Sequence, residues 1–157
     1  MYKLLAAFFL LSLASLPERP VTVVNLQQYQ NMAIRPNDTL YVVNFWATWC
    51  KPCVHEMPYF EVENQKFKNQ KVKFIFVSTN YPREVEQVKS FINQKQVQAD
   101  VLLLNAGNPN NWIDAIDSSW SGSIPATIMY RKGKKALFYE GEFTQSQLDS
   151  VIQKQIL

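Results

Sequence analysis

"NFWATWCKPCVHEMP" spans residues 44–58 and contains the chain's only two cysteines, Cys50 and Cys53. An apolar run precedes them and a helical pattern follows. A cysteine pair at this spacing serves either as half of a structural zinc site or as a redox dithiol. Structural zinc needs a full tetrahedral ligand set. The chain offers one histidine and no further cysteine, which favours the dithiol. The pair lies where a buried strand gives way to a helix, so Cys50 falls at the helix N-terminus. Unpaired backbone N–H groups and the positive end of the helix dipole favour its thiolate there. Position then divides the roles. Cys50, at the exposed end, attacks; Cys53, one turn further in, resolves the mixed disulfide. Pro52 is tolerated in the first turn, where its missing N–H costs nothing. Lys51 adds a positive charge that solvent screens.

Glu56 stands one turn beyond Cys53, on the face continued by Phe60 and Phe67. A carboxylate partly withdrawn from water there has a raised pKa and can carry a proton for Cys53. The competing reading is a surface charge that complements the helix start. His55 is two residues from Cys53 and points elsewhere, as an exposed helix residue.

Outward from this stretch the pattern is α/β. "LYVVNFW" (40–46) and "VKFIFVST" (72–79) are nearly continuous apolar runs, as in strands buried on both faces. The helix starting at Cys50 joins them as a right-handed crossover in a parallel sheet, and Pro58 should kink it. "VTVVN" (21–25) reads as a strand, and Asn25 caps a helix from Leu26. Residues 82–97 and 112–120 carry helical spacing, and 100–105 reads as a third buried strand. Residues 126–131 and 135–141 flank Lys132-Gly133-Lys134 as a hairpin, and Thr144 caps a C-terminal amphipathic helix.

The chain has 157 residues, 47% of them hydrophobic, enough for a single domain with its own core. Its net charge of +3 is spread out, with Lys132, Lys134 and Lys135 the densest cluster, so no nucleic-acid footprint is evident. "MYKLLAAFFLLSLAS" (1–15) has a basic start, a short apolar run and the small-x-small site Ser12-Leu13-Ala14. That is the layout of a secretory signal peptide or, left uncleaved, of a membrane anchor. Either places residues 16–157 outside the cytoplasm, in the periplasm or beyond.

These residues resemble the thioredoxin fold and, more narrowly, the TlpA/ResA family of exported thiol-disulfide oxidoreductases. "VVNFWATWCKPC" carries that family's pattern and Glu56 falls at its acidic position. Thioredoxins proper have an Asp where this chain has Asn44, so proton handling would pass to Glu56. "SGSIPATIMY" (121–130) matches the segment bearing the family's cis-proline, at Pro125. The resemblance implies a mixed sheet flanked by helices and a Cys50–Cys53 disulfide alternating with a dithiol. It further implies a client surface of Trp49, Lys51, Pro52, Ile124 and Pro125, with Trp120 either on its rim or in the core. No cofactor or metal is implied. Protein thiols and disulfides are the expected clients, a membrane or periplasmic redox protein the expected electron partner, and a monomer the expected state. The reducing direction is favoured, because family members commonly keep exported cysteines reduced, as in cytochrome c maturation.

Two alternatives use other residues. A peroxiredoxin-like peroxidase needs a Thr three residues before its reactive Cys, where this chain has Ala47. A Sco-type copper protein needs three residues between its cysteines and a distant His; here two intervene, and the only His is adjacent.

Overall fold

The computed structural model describes residues 18–157; the expected signal segment lies outside the described residues. Six strands form one mixed sheet: β1 (Val21–Val24), β2 (Leu40–Trp46), β3 (Val72–Ser78), β4 (Asp100–Leu104), β5 (Ala126–Arg131) and β6 (Lys134–Glu140). Their order is β1-β4-β3-β2-β5-β6, with the first four parallel and β5 and β6 antiparallel to their neighbours. The helices are α1 (Leu26–Ala33), α2 (Lys51–Lys66), α3 (Val85–Gln94), α4 (Ile113–Ile116) and α5 (Gln145–Ile156).

β2 is central and all seven of its residues are buried. Alternation along it divides the core. Leu40, Val42 and Trp46 face a cluster containing Met57 and Phe60 of α2, Val88 and Ile92 of α3, and Leu148 and Ile152 of α5. Tyr41, Val43 and Phe45 face Tyr29 and Ala33 of α1 with Trp112, Ile116 and Trp120. By the same alternation Asn44 points to the α2 side, a polar residue in an apolar layer.

Local chemistry accounts for the helix starts. Asn25 with Gln28, and Thr144 with Gln147, form reciprocal capping boxes for α1 and α5. α2 runs without a break through Pro58.

Two helices are shorter than their spacing implies. Residues 82–84 form a 3-10 turn, and α3 stops at Gln94, two residues before Gln96 adopts a positive φ of 55°. The pattern over 112–120 yields only the four-residue α4. Asp117 is extended, and its carboxylate accepts from the Ser119 N–H and hydroxyl and from Lys135 of β6, so side-chain bonds replace the helix ladder. Lys135 is thereby engaged, and Lys132 lies near Asp38, so the basic cluster is partly neutralised within the fold.

Candidate active site

Cys50 is the N-cap of α2; its Sγ accepts from the Cys53 N–H at 3.3 Å, and the two sulfurs are joined as a disulfide. Cys50 is not the exposed residue its helix-end position implies. It is 5% accessible against 0% for Cys53, because the 121–125 loop folds over it. Cys50 Sγ lies 3.7 Å from the Ile124 carbonyl oxygen, and the Ile124–Pro125 peptide is cis. The order of accessibility still leaves Cys50 as the sulfur a client can reach. Trp49, Lys51 and Pro52 surround it as exposed residues, Trp49 at 64%.

One turn of α2 beyond Cys53 lies a buried polar group. Glu56 is fully buried on α2, which removes the surface-charge reading. Its Oε1 accepts from Asn44 Nδ2 at 2.8 Å and its Oε2 from the Phe143 N–H at 2.7 Å. Asn44 also donates to Thr127 Oγ1 at 3.1 Å, its cross-strand partner on β5. Burial raises the Glu56 pKa from 4.5 to about 7; the Phe143 and Asn44 hydrogen bonds oppose the rise, Glu142 adds to it, and His55 opposes it weakly. A carboxyl poised there gains or loses a proton near neutrality without leaving its place.

Asn44 suits such a neighbour. A primary amide offers a donor on one side and an acceptor on the other. It can face the carboxylate with N–H or, turned over, face the carboxylic acid with its oxygen. Asn44 Oδ1 is buried and has no hydrogen-bond partner among the described residues.

The remaining aromatic residues separate clearly. Trp46 is fully buried in the α2-side core. Trp120 is 4% accessible, its ring 4.8 Å from that of Phe45 and its Nε1 donating to the Ser123 carbonyl at 2.8 Å, so it belongs to the core and braces the cis-proline loop. His55 is exposed and pairs with Glu142.

Two contributors escape a reading of spacing alone. Asn80, 2% accessible, accepts from the Thr48 N–H at 3.0 Å and donates to Thr48 Oγ1 at 2.9 Å, tying the turn before Cys50 to the loop after β3. Its only sequence signal is an Asn near a proline, common to many turns. The Phe143 N–H has no signal, since a backbone donor carries no residue code.

The thiol-disulfide oxidoreductase ResA of Bacillus cereus is 32% identical over 114 residues, covering 71% of this chain and 61% of the relative. ResA of Bacillus subtilis is 30% identical over 107 residues, covering 68% and 55%. The chain thus spans little more than half the length of these relatives. Among solved structures, StoA of Bacillus subtilis superposes with a TM-score of 0.57 at 22% identity, over 73% of this chain and 82% of that one. A thioredoxin-family thiol:disulfide interchange protein of Chlorobium tepidum does so with a TM-score of 0.64 at 21% identity, over 77% and 82%. The fold is therefore thioredoxin-like. The AhpC/TSA family model matches residues 15–135, most of the chain. With its dithiol at the start of α2 and ResA among its relatives, the chain belongs to the AhpC/TSA family.

Proposed function

We propose that this protein is an exported thiol-disulfide oxidoreductase that reduces disulfides of other proteins through Cys50 and Cys53. The observation that carries the reading is a disulfide at a helix N-terminus, reachable at Cys50, with a buried carboxyl of near-neutral pKa one turn beyond Cys53.

In the reduced protein the Cys50 thiolate attacks one sulfur of a client disulfide. The other client sulfur leaves as a thiolate, and Cys50 is joined to the client. Glu56 takes the Cys53 proton. The Cys53 thiolate attacks Cys50 Sγ, the second client thiolate departs, and the Cys50–Cys53 disulfide forms. Two electrons pass to the client, whose thiolates take up protons. A dithiol donor, expected to be a membrane or periplasmic redox protein, restores the reduced state.

Support for export is the signal-like pattern of residues 1–15, and mature protein should begin near Ser15. Support for protein clients comes from relatives named thiol-disulfide oxidoreductase and from Ile124, whose N–H has no hydrogen-bond partner among the described residues. An extended client segment can pair with that backbone beside Cys50. Trp49, Lys51, Pro52 and Pro125 then border the client, in a role of the kind met in cytochrome c maturation.

The test is to incubate reduced protein with a disulfide-bonded protein, with hydrogen peroxide and with copper, and to count thiols. Loss of client disulfides matched by Cys50–Cys53 oxidation is expected. Oxidation by peroxide alone would transfer the protein to the peroxidases; copper retention without exchange would make it a metal carrier.

A further inference from the structure

A cleft of about 240 Å³ opens beside the disulfide, walled by Trp49, Tyr81, Trp112, Ile113, Trp120 and Ile124. Two of its walls, Trp49 and Ile124, also border Cys50. We propose that this cleft receives one large apolar side chain of the client segment whose cysteine reacts with Cys50. The inference rests on the exchange function proposed above and assigns its specificity.

Three observations fix the chemistry of the occupant. Two of the polar groups at the cleft are already used, the Thr79 hydroxyl donating to the Trp46 carbonyl at 3.2 Å and the Trp120 indole N–H to the Ser123 carbonyl at 2.8 Å, and most of the remaining lining is aromatic and aliphatic carbon. The cleft therefore offers apolar surface and aromatic faces. Its outer walls are apolar groups left in water, Trp49 at 64% and Tyr81 at 63% accessible, which gain by being covered. Its size suits one or two side chains and is below the range of about 300–1,000 Å³ common for small-molecule sites.

The walls are held in place. Trp120 packs into the core against the tilted ring of Phe45, and Trp112 lies 5.6 Å from Trp120 between ring centres. The segment carrying them is pinned to β6 through Asp117 and Lys135. Tyr81 is held at the lip because its N–H donates to Glu84 at 2.9 Å and Arg83 stacks 4.6 Å above its ring. Gly122 completes the wall with φ of +93°, and a Cβ there would come within 3.0 Å of Ile113 Cδ1, so no side chain intrudes.

Geometry joins the cleft to the reaction. A client sulfur bonded to Cys50 brings its backbone against Ile124. In an extended segment, side chains two residues apart share a face about 7 Å apart. A residue two positions from the client cysteine thus lies on the side from which the cleft opens.

The experiment uses reduced protein and pentapeptides whose central Cys is disulfide-bonded to cysteamine, with Phe or Ser placed two residues before or after it. Hydroxyethyl disulfide is the control. One Phe position should raise the exchange rate about tenfold over Ser, equivalent to about 1.4 kcal/mol. Ile113→Trp, which fills the cleft, and Tyr81→Ala, which removes its lip, should each cut that preference to within about twofold and leave the hydroxyethyl disulfide rate unchanged. The exposed Tyr81 gives a variant that folds even if Ile113→Trp does not. Equal rates for all peptides in the wild type, or a preference that survives in both variants, overturn the cleft assignment while exchange itself stands. Failure to reduce any of the disulfides, hydroxyethyl disulfide included, overturns the exchange function instead.

Discussion

The Phe143 N–H donates to Glu56 Oε2 at 2.7 Å, joining the loop after β6 to α2 across 87 positions of sequence. This bond, with that from Asn44, holds a buried carboxyl in one place while its charge changes. Burial makes the charged form costly and the two donors make it attainable, and the balance falls near neutral pH.

Glu56→Gln keeps the shape, accepts from the Phe143 N–H and can donate to Asn44 once that amide turns over, but it cannot carry a proton. It should leave the fold intact and slow the Cys53 attack on the mixed disulfide, about 10²-fold by the usual worth of a positioned base. Quenching the reaction at intervals from pH 5 to 9 and weighing the Cys50 adduct gives the rate. Superimposable profiles for wild type and variant would remove Glu56 from the reaction.

The same group sets a pH dependence of stability in the oxidised protein. Its pKa is raised in the fold, so the folded state holds a proton that the unfolded chain releases. That contribution is complete below about pH 4.5 and is lost as pH rises through about 7. The loss is on the order of 3 kcal/mol. Glu56→Gln should be free of it, so wild type should weaken relative to the variant across this window. Urea unfolding at pH 4.5, 6 and 8 measures the difference; a constant difference contradicts the assignment.

Asn44→Asp places a second carboxyl at hydrogen-bond distance from Glu56 Oε1. Two such groups resist ionising together, so the upper pKa of the pair should rise above that of Glu56 alone. The pH midpoint for mixed-disulfide resolution should move to higher pH, and stability at pH 8 should fall. An unchanged midpoint would mean that position 44 does not bear on the Glu56 proton.

In the reduced protein Cys50 should alkylate faster than Cys53, since the outer sulfur is the one solvent reaches and the helix end favours its thiolate. Peptide mass after brief iodoacetamide treatment distinguishes the two; faster labelling of Cys53 would reverse their roles.

Asp117 is buried and accepts from Ser119 and Lys135. Asp117→Ala should cost about 1–3 kcal/mol by leaving the Ser119 N–H without its acceptor and freeing the 109–122 segment. Chemical denaturation gives the cost, and a change within about 0.5 kcal/mol would show the segment is held by its tryptophans alone.

The sequence by itself determined the elements that rest on local chemistry. The nearly continuous apolar runs of β2 and β3 made them central strands, because a strand covered on both faces hides such a run. The cysteine spacing located the reactive turn, and Asn25 and Thr144 marked helix starts through bonds that close within three residues. What depended on distant parts of the chain needed the tertiary structure. The 112–120 pattern shrank to one turn because a lysine on β6 drew Asp117 out of the helix. Cys50 was covered by a loop 74 residues away. The burial that raises the proton affinity of Glu56, and the donors from β2 and from beyond β6 that limit the rise, are encoded by no pattern around residue 56. Short-range hydrogen bonds and periodicity are written in neighbouring residues, whereas burial and pKa depend on whatever the fold brings alongside.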